Sequence, residues 1–324
     1  MTSPSDAKRS FTPRPTDVVV GIDGSDTSAA ALTWALREAQ LREARLRLIT
    51  AYGMPLLENT SIASAYREVH GKLREIAADT VRDARAEVSG QGVEVVGAVV
   101  EGDAAGALIS AAETAGLLVV GSRGLGGFTG RLLGSVSSAL PGHAQCPVVV
   151  IPGAETKGRH KNRSGIGDVG HTAVVAGIDG SEAAAVAALD AAGYAHRRGL
   201  ALTLLQARPP VESYIPLPLA DWELEGLQAG IDGEAAWLKR HFPGLDVTAR
   251  ITDREPVEVL AGASYTADLV VLGNRGRGGF ASLVLGSTSR SVVHHALGPV
   301  MVVPHEAANP DARLADRTDP ASGS

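Results

Sequence analysis

A chain of 324 residues, 44% hydrophobic and 20% charged, holds enough material for about two domains at roughly 150 residues each. A net charge of −6 and an aromatic content of 4% exclude a basic nucleic-acid footprint and a base-stacking platform. The single cysteine, Cys146, excludes an internal disulfide and a cysteine-cluster metal site; no apolar run approaches the ~18 residues of a membrane span, and the first residues lack an apolar signal core, so the expected compartment is the cytoplasm.

The first sixteen residues, polar and proline-containing, read as a disordered tail, residues 1–16. "DVVVGI" from Asp17 is an apolar strand, Ser28–Glu43 an amphipathic helix and Arg45–Tyr52 a second strand. From Val69, the apolar positions Leu73, Ile76, Ala77, Val81, Ala84 and Val88 fall near helical spacing. A strand follows over Val93–Val100, a helix over Ala104–Ala115 and a strand over Gly116–Gly121. Ser135–Ala144 reads as a short helix before a last strand, Pro147–Ile151. Alternating strands and helices imply a parallel sheet covered on both faces, and continuous apolar runs such as "LLVV" and "PVVVI" fit that burial.

The whole pattern then returns. "VVVGIDGSDTSAAALTWA" from Val18 is matched by "VVAGIDGSEAAAVAALDA" from Val174, so that Asp23 maps to Asp179 at a spacing of 156. "GSRGLGGFTGRLLGSVSSAL" from Gly121 is matched by "GNRGRGGFASLVLGSTSRSV" from Gly273 at a spacing of 152, with ten of twenty positions identical. The change in spacing is expected after Tyr52 and after Ala207, where the copies differ most. The chain is therefore α/β, two tandem copies of a doubly wound, five-stranded parallel-sheet domain, over 17–153 and 172–305. Residues 154–171 form a linker and 306–324 a second disordered tail.

Ligands of open parallel sheets bind beyond the carboxyl ends of strands, where strand order reverses. Two loops per copy lie there: Gly21–Ser25 and Gly177–Ser181 after the first strand, and the glycine-rich stretch after the fourth. In the latter, two residues separate Gly121 from Gly124, nine separate Gly124 from Gly134, and Ser135 follows at once; Gly273, Gly276, Gly286 and Ser287 repeat those gaps. This is neither the G-x-G-x-x-G fingerprint nor a P-loop. Its chemistry still suits phosphate: glycines admit an anion to backbone amides, a serine opens a helix whose free N–H groups favour negative charge, and Ser137 adds a hydroxyl. Asp23 either faces a ligand or fixes its turn and caps the helix, and Arg123 and Arg275 reach either a phosphate or a surface carboxylate. Gly126 and Gly127 serve loop flexibility. His143 and His295 read as structural, Cys146 and Trp34 as core, and "HH" at His294 has no partner at metal spacing.

With the spaced glycine motif, "GIDGS" after the first strand and the "PV-V-V" last strand, each present twice, the chain resembles tandem-type universal stress proteins over Asp17–Pro152 and Thr172–Pro304. The resemblance implies a Rossmann-like, adenine nucleotide alpha hydrolase-like fold that binds ATP, one per domain, with any magnesium held mainly by the phosphates. By the same resemblance, Gly21 and Asp23 lie on the adenosine side, Ala51 at the adenine, and Gly121, Ser122, Arg123, Gly124, Gly134, Ser135, Val136 and Ser137 at the phosphates. Their counterparts are Gly177, Asp179, Ala207, Gly273, Asn274, Arg275, Gly276, Gly286, Ser287, Thr288 and Ser289. The implied role is nucleotide-dependent regulation in stress response or growth control through an unknown protein partner, with little or no hydrolysis and no nucleic acid or membrane. Val148–Ile151 is expected to pair with Val300–Val303 inside one chain, and two chains to pair further. Two alternatives stand beside this reading. A weak ATPase or an adenylating or phosphoryl-transfer enzyme would show S-G-G-x-D-S or H-x-G-H after the first strand, and "GIDGSD" and "GIDGSE" contain neither. A nucleotide-free dimerisation scaffold would not need two intact glycine loops.

Overall fold

The structure, a computed structural model, describes residues 16–53, 63–125, 133–153, 173–208, 221–276 and 285–305. The assignments of tails and linker (1–15, 154–171 and 306–324), and those of Gly126 and Gly127, lie outside the described residues.

The first copy runs β1 (Val18–Gly21), α1 (Asp26–Leu41), β2 (Leu46–Tyr52), α2 (Ala63–Glu87), β3 (Val95–Glu101), α3 (Ala104–Ala112), β4 (Leu117–Gly121), α4 (Ser135–His143) and β5 (Val148–Ile151). The second runs β6 (Ala173–Gly177), α5 (Glu182–Arg198), β7 (Ala201–Ala207), α6 (Asp221–His241), β8 (Val247–Thr252), α7 (Pro256–Ala263), β9 (Leu269–Gly273), α8 (Ser287–His295) and β10 (Val300–Val303). Local signals set the boundaries. Ser25 and Ser181 cap α1 and α5 by accepting the Ser28 and Ala184 N–H groups, both at 3.2 Å. Gly199, at φ 64°, ends α5 in the left-handed conformation that a side chain would resist.

All ten strands form one sheet in the order β3-β2-β1-β4-β5-β10-β9-β6-β7-β8. Every pairing inside a copy is parallel. The copies meet where β5 and β10 run antiparallel, Val150 opposite Val300, Val149 opposite Met301 and Val148 opposite Val302. The two five-stranded sheets join through the pairing expected of Val148–Ile151 with Val300–Val303; β5 and β10 are apolar throughout and every residue of both is buried, which leaves neither strand fit to be a solvent-facing edge. Register also locates the length change. Gly21 pairs with Ile49 and Gly177 with Leu205, which keeps the spacing of 156, whereas Thr50 pairs with Val99 and Gln206 with Ile251, by which point it is 152.

Alternation along the strands divides the core in two. Val18 and Val20 join α1, α2, α5 and α6 on one face, Val19 joins α3, α4, α7 and α8 on the other, and each core is continuous across both copies. In α2, Ala77 is buried and Val81 and Ala84 pack on the first of these cores, as does the buried Val88 just past its end, while Val69 and Ile76 remain exposed. Among the described residues, no helix is long and apolar enough to cross a membrane.

A second seam joins the copies on the α1/α5 face. The Glu38 carboxylate, 1% exposed, meets Arg42 of its own helix at 2.6 Å, Arg198 of α5 at 3.1 Å and Arg197 at 3.5 Å. Burial pushes its pKa up, but the three guanidinium groups, Arg42 foremost, outweigh burial and the net direction is down. At the amino end of β1, a buried pair joins Asp17 to Arg45 at 2.7 Å, and that hydrogen bond lifts the Arg45 pKa.

Candidate functional site

The carboxyl ends of β1, β2 and β4 and the first turns of α3 and α4 enclose a cavity of about 390 Å³. Its apolar wall is built from Ile22, Ile49, Ala51, Ala104, Leu108 and Val120, which suits a flat uncharged ring. Asp23, Ser28, Arg123, Gly124, Gly134, Ser135 and Ser137 supply the polar and backbone-rich part of the lining.

The loop after β1 turns on Gly24, at φ 84°, and its counterpart on Gly180, at φ 78°, a conformation open to glycine. Asp23 Oδ1 accepts the Ser25 N–H at 3.0 Å and the Ser25 hydroxyl at 2.6 Å, and Oδ2 accepts the Leu125 N–H at 3.0 Å. Asp179 Oδ1 takes the same bonds from Ser181, at 2.9 and 2.6 Å. The aspartate therefore fixes its turn while lining the cavity, and the helix cap is the serine two residues on. In the first copy the same carboxylate ties the β1 loop to the β4 loop. Thr27 reinforces that tie, its hydroxyl donating to the Arg123 carbonyl. The Arg123 side chain is half-buried on the cavity wall, reaching toward Gly153, while Arg275 is exposed.

Several residues named from the sequence brace the site from behind. The Ser122 N–H donates to the Ile151 carbonyl at 2.7 Å, and its own carbonyl accepts from the Gly134 N–H at 2.9 Å and the Ser137 hydroxyl at 2.8 Å. In the second copy, the Asn274 carbonyl accepts from the Gly286 N–H at 2.7 Å, its buried side-chain Oδ1 accepts from the His305 N–H at 3.1 Å, and the Ser289 hydroxyl donates to the Gly273 carbonyl at 2.7 Å. The hydroxyls of Ser137 and Ser289 thus shape the loop, a role that spacing alone does not reveal.

At α4 the cavity meets an uncapped helix start. Gly134 occupies the cap position with no side-chain cap, and the first helical bond runs from the Ser138 N–H to the Gly134 carbonyl at 3.0 Å. The N–H groups of Ser135, Val136 and Ser137, three residues that line the cavity, precede that bond. At α8 the first bond runs from Arg290 to Gly286 at 3.0 Å, leaving Ser287, Thr288 and Ser289 in the same position.

The motif glycines divide by what a Cβ would meet. At Gly121 it would lie 2.6 Å from the Thr27 hydroxyl and 2.7 Å from the Thr27 backbone, and at Gly273 2.8 Å from the Ala183 backbone. At Gly124 it would strike Asp23 Oδ2, and at Gly276 it would lie 2.6 Å from Asp179 Oδ2. At Gly134 the nearest atom is 3.5 Å away, and at Gly286 3.4 Å, ordinary contact distances. Gly21 and Gly177 belong with the crowded group, 2.9 Å from Leu108 and 2.5 Å from Leu272. Helix-to-strand packing dictates the first motif glycine and the loop aspartate the second, and neither explains the third.

Ile49 near the end of β2, Leu108 in α3, Leu133 before α4 and Ser28 in α1 also line the cavity, none of them a motif position with a chemical signal of its own. Outside it, the exposed His143 and His295 rest Nδ1 on the carbonyls of Ala139 and Ser291 at 2.9 and 2.7 Å, and Cys146 is buried, its thiol pushed up to about 12 by burial.

The family model described as "Universal stress protein family" matches residues 16–152 and 171–304. The chain belongs to the universal stress protein family. Universal stress protein Rv1996 of Mycobacterium tuberculosis is 33% identical over 317 residues, spanning 90% of this chain and 97% of that relative. Universal stress protein Rv2623 of the same organism is 32% identical over 294 residues, spanning 88% and 95%. The crystal structure of a universal stress protein from Archaeoglobus fulgidus superposes with a TM-score of 0.59 at 22% identity, over 90% of this chain and 97% of that one, a likeness of fold. The universal stress protein domain thus occurs twice here, and each copy carries the aspartate turn, the crowded glycines and the uncapped helix.

Proposed function

We propose that each half of this universal stress protein binds one ATP, and that occupancy governs its association with a protein partner in stress response or growth control. The observation that carries the reading is the space at Gly134 and Gly286, where the fold would accept a Cβ and a phosphate lying against the helix amides would not. A cavity of about 390 Å³ lined both by apolar side chains and by the start of an uncapped helix fits a ligand apolar at one end and anionic at the other. A magnesium ion accompanying the nucleotide would be held mainly by the phosphates, in keeping with a site built from amides and hydroxyls. Little or no turnover is proposed, because hydrolysis needs a positioned base. Asp23 is the carboxylate lining the cavity, and both its oxygens are engaged by Ser25 and Leu125.

Mass spectrometry of the purified, denatured protein, followed by ATP titration, tests this. Two equivalents of adenine nucleotide are expected, and Gly134→Glu is expected to remove one. Failure to find or bind any nucleotide favours the scaffold, unchanged stoichiometry in the variant counts against the site, and turnover above about 1 s⁻¹, an ordinary enzyme rate, favours an enzyme.

A further inference from the structure

Resting on that reading, we infer that the two sites divide their selectivity: the first reads the nucleoside, and the second reads the phosphates. Equivalent positions follow from the register, at a spacing of 156 through β2 and β7 and 152 from β3 and β8 onward. At the nucleoside end, Val120 and Ala104 become Leu272 and Pro256, which add one and two carbons to the wall. Leu272 stands 2.5 Å from the Cβ direction of Gly177, whereas Val120 stands 3.1 Å from that of Gly21. Ser28, a hydroxyl lining the first cavity, becomes Ala184. The second site is thus narrower there, with less to bond a sugar.

The phosphate end changes in the other direction. Val136, lining the first cavity, becomes Thr288, which adds a hydroxyl to the first turn of α8. Around the rim, Tyr52, Gly102 and Ser138 become Arg208, Arg254 and Arg290, in addition to Arg275 where the first site has Arg123. Three of the four arginines lie just past the carboxyl ends of strands, and the fourth lies in the helix that follows β9. Arg208 follows β7, with its N–H bonded to the Thr252 carbonyl at 2.8 Å; Arg254 follows β8, Arg275 follows β9 and Arg290 lies in the first turns of α8. The carboxylates hardly change, Glu101 and Asp103 being replaced by Asp253 and Glu255, and the added Glu258 is bonded to Arg254. Three cations against one anion leave the second rim two charges more positive than the first, a field that acts on phosphates and not on a base.

Calorimetric titration of AMP, ADP and ATP into Gly286→Glu, which keeps the first site, and Gly134→Glu, which keeps the second, tests the division. The first site is expected to bind ATP within about threefold of AMP at any salt concentration. The second is expected to prefer ATP by about tenfold or more, to lose that preference in high salt, and to lose at least threefold of it on Arg290→Ser. Equal ATP-to-AMP ratios at the two sites overturn the inference, while two bound equivalents in the unmodified protein leave the proposed function standing. Binding of no nucleotide by the unmodified protein overturns both. A measurement without substitutions guards against a misfolded variant: inorganic tripolyphosphate is expected to displace one ATP of two from the unmodified protein, and displacement of both or of neither overturns the division.

Discussion

Trp34 of α1 lies nearly flat against Tyr194 of α5, ring centroids 6.0 Å apart and planes within 4°. The two rings come from different copies, so an aromatic contact seals the halves beneath the sheet. Arg198 sits 4.5 Å over the Tyr194 ring, and the Tyr194 hydroxyl donates to Asp268 at 2.6 Å. Burial, then Asp268, pushes the Tyr194 pKa up, so the hydroxyl stays a donor at neutral pH. A double-mutant cycle of Trp34→Ala and Tyr194→Ala, followed by urea unfolding, is expected to show a coupling of about 0.5–1.5 kcal/mol. Strict additivity would mean that the stack contributes nothing of its own.

Glu38 makes the same seam sensitive to acid. Its folded pKa is lowered, so its stabilisation is complete above the unfolded value of about 4.3 and disappears as pH falls from there through the folded value. Glu38→Gln is expected to cost about 3–5 kcal/mol at pH 7, since three arginines lose their buried partner, and to flatten the fall in stability below pH ~4.3. Unfolding curves of both proteins at pH 7 and at pH 3.5 check this; an equal difference at the two pH values would contradict it.

Gly121 and Gly134 belong to one motif and are expected to respond in opposite ways to alanine. Gly121→Ala should destabilise by about 1–3 kcal/mol, because its methyl would press on the Thr27 backbone. Gly134→Ala should change stability by less than about 0.5 kcal/mol yet weaken nucleotide binding tenfold or more. Thermal melts with and without ATP separate the two. A Gly134→Ala protein with normal affinity would remove the reason given for that glycine.

Cys146 should be silent to thiol reagents. Its pKa of about 12 and its burial leave almost no accessible thiolate at pH 8. Ellman's reagent is expected to titrate no thiol in the native protein and one in guanidinium chloride. Above pH ~8.5 the unfolded thiol ionises and the folded one does not, so this residue contributes a loss of stability with rising pH.

Much of this was legible in the sequence because the signals were doubled. A lone "LLVV" can be helix or strand; with a copy 152 residues on, between matching turns, it can hardly be other than β4 and β9. The β5–β10 pairing followed from an apolar last strand that had to be covered. The Trp34–Tyr194 stack was hidden because the repeat relates Trp34 to Asp190 and Tyr194 to Glu38, so neither ring pointed to the other. The roles of the glycines were hidden for a different reason. Gly121 and Gly134 look alike in a motif, and only the distance from an imagined Cβ to Thr27 or Ser137 tells packing from vacancy. Ile49 and Leu108 could not be chosen from the other apolar residues of their elements until the cavity showed which ends met.

The antiparallel meeting of β5 and β10 has a geometric consequence. Strands of one copy point up when those of the other point down, so the two glycine-rich loops open at opposite poles of the molecule. Three strand spacings and one strand length separate them, on the order of 20 Å. No single mononucleotide spans that distance, and a protein gripping the loop at one pole leaves the other free. On the proposed function, a chain so built would be double-ended: two partners could be held at once, facing away from each other, each at the loop of its own end.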